Sequence, residues 1–211
     1  MYKNDYLEIS NEDNMELMAR YPDKHFDLAV VDPEYGIGIS KNSFRQKHDK
    51  KDWDAKPPNN SYFNELFRVS INQIIWGGNY FELPPSQGFF IWDKKQPFDF
   101  SSAMCEYAWS SMQKPAKIFN KHVVTAEKNK IHPTQKPVAL YEWLFKNYAK
   151  EGQKILDTHL GSGSIAIALH NMNERDGMDL TLTACELDKD YYDASIKRIL
   201  QHTAQKTIFS I

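Results

Sequence analysis

Cysteine is scarce: Cys105 and Cys185 are the two in 211 residues. That is too few for a disulfide framework or, unaided, a four-ligand zinc site, and no metal site is expected. Each lies in an apolar run, as a buried free thiol in a reducing cytoplasm would. Long hydrophobic runs are also missing. No stretch reaches the roughly 18 apolar residues of a membrane span. The opening Met1–Ser10 has no apolar core of the kind a secretion signal needs. The expected setting is therefore cytoplasmic, with no membrane partner. Charge of one sign does not dominate either. With 26 basic and 28 acidic residues the formal net charge is −2, which excludes a uniformly basic nucleic-acid coat but not a local basic face. What is present suffices for a core: 41% of residues are hydrophobic and 26% charged. At about 150 residues per domain, one domain over residues 1–211 is expected.

The charges are unevenly placed. Lys41, Arg45, Lys47, Lys50, Lys51 and Lys56 crowd one stretch, relieved by Asp49, Asp52 and Asp54. A second stretch, Lys114 to Lys136, holds six lysines against Glu127 alone. A charge run by itself is usually a solvated face. Two of them, with Phe44, Trp53 and Phe119 interleaved, point to an anionic partner such as nucleic acid. Residues 40–60 have no strong period and read as a long basic loop, a length that usually signals function or disorder.

Elsewhere short apolar runs alternate with helical patterns. Strands are expected at Leu7–Ile9, Asp27–Val31, Gln73–Trp76, Phe89–Trp92, Glu106–Trp109, Lys154–Asp157 and Thr181–Cys185. Helices are expected over Asn14–Tyr21, Ser61–Ile71, Ser164–Met172, after Pro137, and around Tyr192, Ile196 and Ile199. This alternation predicts an α/β fold: a mostly parallel sheet, helices on both faces, and a ligand beyond the carboxyl ends of the strands.

Two constellations fall at such ends. Leu156-Asp-Thr-His-Leu-Gly161-Ser-Gly163-Ser-Ile-Ala166 sets G-x-G-x-x-A between a strand and a helix, where glycines permit a tight turn and close approach to the backbone. The next strand ends in Glu186, placed to accept from ribose hydroxyls. The order suits an adenosine-containing cofactor, without separating a dinucleotide from S-adenosylmethionine. Only one strand and one helix follow this unit, so the N-terminal strands must complete its sheet.

The second constellation, Asp32-Pro-Glu-Tyr-Gly36, follows an expected strand directly. D-P-x-Y-G should arise by chance in on the order of one such chain in a thousand. It is also good turn chemistry. Its functional reading starts from the amino group of a nucleobase, a poor nucleophile whose lone pair is delocalised into the ring. The Asp32 carboxylate and the Pro33 carbonyl could accept both amino hydrogens and favour a tetrahedral nitrogen. Tyr35 would stack on an extruded base.

With these residues the sequence resembles the amino-methyltransferases of DNA, in the circularly permuted group whose catalytic D-P-P-Y precedes the cofactor motif. The matching pieces are Asp32–Tyr35, Ile75-Trp-Gly-Gly-Asn-Tyr80, Phe90-Ile-Trp-Asp-Lys94, His132-Pro-Thr-Gln-Lys-Pro137 and Leu156–Gly163. They cover most of residues 7 to 200. The resemblance, closest to small adenine-specific members of phage or mobile-element type, implies a Rossmann-like methyltransferase fold. It implies that S-adenosylmethionine is the cofactor and DNA the partner; a homodimer stays open. It implies that Asp32 and Pro33 orient the target amino group and that Tyr35 stacks on the base. Asp157, Leu160, Gly161, Ser162 and Gly163 would hold the methionyl side of the cofactor and Glu186 its ribose. His132, Thr134 and Lys136 would close over its amino-acid end, and Asp13 would correspond to an acidic position near the adenine. An opening Asp is typical of adenine-specific members, whereas Ser is commoner in those acting on the cytosine amino group. Lys41, Arg45, Lys47, Lys50 and Lys51 are the candidate DNA contacts, because the family's long target-recognition insert is absent.

The chain departs from the family pattern at Glu34 (usually Pro), Thr158 (usually Pro) and His159 (usually Phe). Residues 32 and 34 lie two apart after an extended strand, so either their carboxyls share one face or Glu34 points to solvent. On one face, the like-charge pair would raise an apparent pKa of the two. A dehydrogenase would explain the glycine loop but not Asp32–Tyr35 or His132–Pro137. An inactive nucleic-acid-binding relative and a cytosine amino-methyltransferase of the same fold are both compatible with these residues.

Overall fold

The structure, a computed structural model, describes residues 1–37, 57–99, 103–122 and 130–208. Lys41, Arg45, Lys47, Lys50, Lys51 and most of the basic loop expected over 40–60 lie outside the described residues.

Among the described residues nine strands form one sheet. In chain order they are β1 (Tyr2–Lys3), β2 (Leu7–Ser10), β3 (Phe26–Val31), β4 (Ser70–Trp76), β5 (Gly88–Asp93), β6 (Cys105–Ser110), β7 (Lys117–Asn120), β8 (Lys154–Asp157) and β9 (Thr181–Cys185). Across the sheet they run β1-β2-β9-β8-β3-β4-β6-β5-β7. The five strands from β2 to β4 are mutually parallel, whereas β6 is antiparallel to both its neighbours. The helices are α1 (Asn14–Ala19), α2 (Asn60–Val69), α3 (Val138–Tyr148), α4 (Ser164–Asp176) and α5 (Lys189–Ile208).

Alternation along the strands gives the sheet two apolar faces. From β3, Leu28 and Val30 join Leu140, Leu144, Leu169 and Ile199 of α3, α4 and α5. Ala29 and Val31 join Leu17, Met18, Phe63 and Leu66 of α1 and α2 on the other side. Strands covered on both faces need continuous apolar runs, which is why Leu28-Ala-Val-Val31 carries no polar residue. The helix α4 is buried from Ser164 to His170 and at Met172, so its first two turns are enclosed on all sides.

Strand limits follow the expectation closely, and β8 and β9 match it end to end. Three differences have local causes. The helix expected through Ile71 ends at Val69, because Ser70 turns its hydroxyl back onto the Leu66 carbonyl (2.5 Å) and β4 begins there. The helix α4 runs on from Met172 to Asp176, stopped by Gly177 at φ +60°. The short edge strands β1 and β7 gave no apolar signal, since β7 is mostly exposed.

Parallel strands bring their carboxyl ends to one rim. Ser10, Cys185, Asp157, Val31 and Trp76 are the last residues of β2, β9, β8, β3 and β4, so the loops that follow them meet there.

Candidate active site

A cavity of about 1080 Å³ opens at this rim. Asp32, Pro33, Glu34 and Tyr35 line it from the loop after β3. Leu160, Gly161 and Ser162 line it from the loop after β8, Glu186 from the end of β9, and His132, Thr134 and Lys136 from the segment before α3. Residues as far apart in sequence as Asp32 and Glu186 thus face one space.

On the glycine-loop side the geometry is mainly backbone. Gly161 and Gly163 have φ of +53° and +72°, values that favour glycine. The Gly161 amide donates to Glu186 Oε2 (2.8 Å), and Glu186 Oε1 accepts from the Asp188 amide (2.9 Å). Burial pushes the Glu186 carboxyl up in pKa. His132 sits across from Gly161, within 4.0 Å of where a Cβ there would lie, and its Nδ1 is 3.1 Å from Thr134 Oγ1. Gly163 faces α5 instead, where a Cβ would meet Ile199 Cδ1 at 3.0 Å. It is a close-packing glycine. Asp157 lies under this loop, 2% exposed, with Oδ1 accepting from the His159 amide (3.0 Å). Burial pushes its carboxyl up to about 7.

On the opposite side the geometry is ionic. Lys136 is 3% exposed. Its ammonium forms an ion pair with Asp32, lies 3.1 Å from Glu106 Oε2, and donates to the Tyr35 hydroxyl at 3.4 Å. Glu106 Oε1 is in turn 2.6 Å from Lys94 Nζ. Burial would raise the Glu106 carboxyl, but the two ammonium groups outweigh it and hold it at about 2. Burial works against the Lys136 ammonium as well, yet Asp32 and Glu106 keep its pKa raised. Tyr35 donates to Asp32 Oδ1 (2.6 Å) and stacks on Tyr80 with centroids 4.9 Å apart and planes at 15°. The left-handed Gly77 makes room, since a Cβ there would fall 2.1 Å from the Tyr35 ring.

Three of the expected residues have partners that were not anticipated. Lys136, expected at the cofactor's amino-acid end, lines the cavity with its ammonium paired to Asp32 and Glu106. Asp13 caps α1, accepting from the Met15 amide (2.7 Å); Glu12 and Asn14 line the cavity in its place. The like-charge coupling of Asp32 and Glu34 gives way to separate partners: Glu34 Oε2 is 3.3 Å from His159 Nε2. Burial would raise the Glu34 carboxyl, but the His159 charge and hydrogen bond lower it instead. Glu106, Lys94 and Tyr80 were missed. The family pieces Ile75–Tyr80 and Phe90–Lys94 end on Tyr80 and Lys94 without marking either as a site residue, and nothing local marks Glu106.

Among the described residues no group of three or more His, Cys, Asp or Glu could hold a metal ion. None of their helices is long and apolar enough to cross a membrane.

A parallel α/β sheet with a glycine loop and a D-P-x-Y loop at one rim defines a methyltransferase-like architecture. Residues 42–197 match the family model for DNA methylases that modify N6 and N4 amino groups, and the chain belongs to that family. It is 37% identical over 75 residues to the type II methyltransferase M.HpaI of Haemophilus parainfluenzae. That match takes in 35% of the chain and 24% of the relative. The fold resembles that of M1.HpyAVI in complex with SAM (TM-score 0.60, 18% identity, 91% of this chain and 99% of that one). It also resembles the cytosine-N4-specific PvuII DNA methyltransferase (TM-score 0.60, 12% identity, 95% and 92%). A third likeness is to a putative DNA modification methylase from Thermus thermophilus complexed with S-adenosyl-L-methionine (TM-score 0.54, 16% identity, 92% and 93%).

Proposed function

We propose that this chain transfers a methyl group from S-adenosylmethionine to the exocyclic amino group of adenine in DNA. The observation that carries the reading is that Asp32, Pro33 and Tyr35 open onto the same cavity as Leu160–Ser162 and Glu186. Family membership supports the reaction class, and the opening Asp of the tetrapeptide supports adenine. The residues present fit the cofactor. A buried carboxylate at Asp157, raised to about 7, gains from a ligand ammonium nearby. Gly161 leaves the loop open to a ligand, and Glu186 can accept from ribose hydroxyls. Bound S-adenosylmethionine supplies a methyl group activated by a sulfonium.

This chain's residues then serve the nucleophile. Tyr35 and Lys136 occupy one position on each Asp32 oxygen, and each oxygen keeps another lone pair for an amino hydrogen. The Pro33 carbonyl accepts the second hydrogen. Together they draw the nitrogen toward tetrahedral geometry and stabilise the positive charge that develops on it. The proton leaves after attack, when the nitrogen has become strongly acidic, so no general base is needed first.

All nine strands of the described residues share one sheet, which supports a single domain over 1–211. The tetrapeptide after β3 precedes the glycine loop after β8, which supports a circularly permuted motif order. Lys41, Arg45, Lys47, Lys50 and Lys51 are the DNA contacts we propose on charge alone. Of the two free thiols Cys185 is buried as expected, whereas Cys105, the first residue of β6, is exposed; we propose a reducing cytoplasm as the setting that keeps both free.

Incubation with isotope-labelled S-adenosylmethionine and DNA of mixed sequence tests the reading, with mass spectrometry of the digested nucleosides. The expected product is N6-methyladenine. Asp32→Ala should lower turnover about 10²–10³-fold while calorimetric cofactor affinity stays within a few-fold. N4-methylcytosine as sole product would reassign the base. A chain that binds DNA but not the cofactor would be the inactive relative.

A further inference from the structure

Two of the positions that depart from the family pattern meet across the cavity. Glu34 lies inside the base-side tetrapeptide and His159 inside the glycine loop, and their side chains approach to 3.3 Å. The loops that carry them follow adjacent strands, β3 and β8. His159 is 12% exposed and Glu34 30%, so water screens the pair only in part.

The imidazole is held from every side. His159 Nδ1 is 2.9 Å from Thr158 Oγ1, which lies 2.7 Å from the Tyr62 hydroxyl of α2. The Tyr62 ring meets the imidazole edge-on at 5.4 Å. The Asn14 amide of α1 lies 3.2 Å from Nε2 through Nδ2; that nitrogen can donate only to the neutral ring, so beside an imidazolium the amide must turn its oxygen inward. The charged groups that bear on His159 are Glu34, Asp157 from the end of β8 and Glu186 from the end of β9. His132, before α3, bears on Glu34. Acidic groups thus surround one imidazole, and Glu34 is the carboxylate that touches it.

We infer that Glu34 and His159 form a latch that fixes the spacing between the base-holding loop and the cofactor loop, making both of them positioning residues for methyl transfer. The inference rests on the function proposed above. In-line transfer tolerates little misplacement: an error of about 1 Å between reactants can cost on the order of a hundredfold. Across this part of the rim, where the loops are not bonded covalently, a charge-assisted hydrogen bond sets that distance. Its pH window follows from both partners. Burial opposes the His159 charge, but Glu34 prevails and the pKa is raised above 6.5. Glu34 is lowered below 4.5. The latch is complete between these two values, opens as pH rises through the raised His159 value, and opens as pH falls through the lowered Glu34 value.

The test is a double-mutant cycle on the full chain with Glu34→Gln, His159→Gln and both together. S-adenosylmethionine affinity is measured by calorimetry, and the methylation rate at saturating cofactor, at about pH 6 and about pH 9. At the lower pH each single change is expected to weaken binding and slow the rate about tenfold, with the double variant no worse than either. At the higher pH the differences should vanish. Additive losses, or losses indifferent to pH, would overturn the latch even if melting temperatures changed. Proton titration of the His159 imidazole by NMR gives an arm independent of the cofactor. A His159 pKa that drops in Glu34→Gln upholds the latch, and one that stays put overturns it. If the natural chain binds no cofactor, the proposed function fails and this titration alone judges the pair.

Discussion

The two walls of the cavity are built by different means. On the cofactor side, shape comes from backbone: left-handed glycines, an amide of Gly161 on Glu186, and Gly163 seated against Ile199. On the base side it comes from charge, in the series Lys94, Glu106, Lys136 and Asp32. The turn of the backbone wall is encoded within a dozen consecutive residues, with Glu186 and Ile199 added from outside it. A charged wall draws on β5, β6, the loop after β3 and the segment before α3, and each member depends on the others being ionised. Damage to the first should therefore be local and modest, and damage to the second large and dependent on pH.

Lys136→Met gives the largest expected effect. It leaves Asp32 and Glu106 facing each other without their shared cation, and breaking such an enclosed network from one side costs about 3–5 kcal/mol. Glu106, held at about 2, contributes stability above its unfolded value near 4.5 and loses it as pH falls through about 2. The variant's deficit in urea unfolding should thus be greatest near neutral pH and shrink on acidification. A deficit independent of pH would show that the wall does not depend on charge.

Asp157→Asn sharpens the contrast from the cofactor side, where one buried charge does occur. Because folding raises this carboxyl from 3.8 to about 7, its ionisation opposes the folded state, increasingly from about pH 4 and fully above about 7. The substitution should raise free-chain stability by up to about 4 kcal/mol near pH 8 and by almost nothing near pH 4, since a pKa unit is worth about 1.4 kcal/mol. Calorimetry should show the reverse for S-adenosylmethionine, with affinity about ten- to a hundredfold weaker. Affinity unchanged in a stabilised variant would remove Asp157 from the cofactor's partners.

Gly163→Ala is the smallest. A side chain at φ +72° that also presses on Ile199 should cost about 1–2 kcal/mol. That corresponds to a fall of several degrees in melting temperature for a chain of this size. A melting point equal to that of the natural chain would mean that the loop relaxes freely.

The same contrast explains what was legible in the sequence. Leu156–Ala166 announces strand, turn and helix by composition alone, and β8, α4 and β9 lie where that pattern puts them. Asp32–Tyr35 was visible because a strand precedes it and its residue types are rare in combination. The partners of those residues were not visible. Glu106 looks like an ordinary exposed strand acid until β6 pairs with β4 and β5 and brings it to Lys94 and Lys136. Spacing cannot show that His159 answers Glu34 rather than standing as an isolated oddity, because a contact separated by 125 residues has no local signature. Family resemblance named Lys136 for this rim, but its pairing with Asp32 and Glu106 shows only in the fold.

The strand order carries a consequence for how the chain reaches its native state. β8 sits at the centre of the sheet, between β3 and β9, yet comes eighth of the nine strands in sequence. During synthesis β3 and β4 can pair early, but one flank of β3 stays open until more than 120 further residues have emerged. Meanwhile β2 waits for β9, its neighbour from the far end of the chain. Such long-range parallel pairing makes for slow folding and leaves unpaired apolar strands exposed to aggregation in the interval. Refolding yield should therefore depend steeply on protein concentration, and a chain cut before β8 should be captured by chaperones rather than accumulate as a folded half.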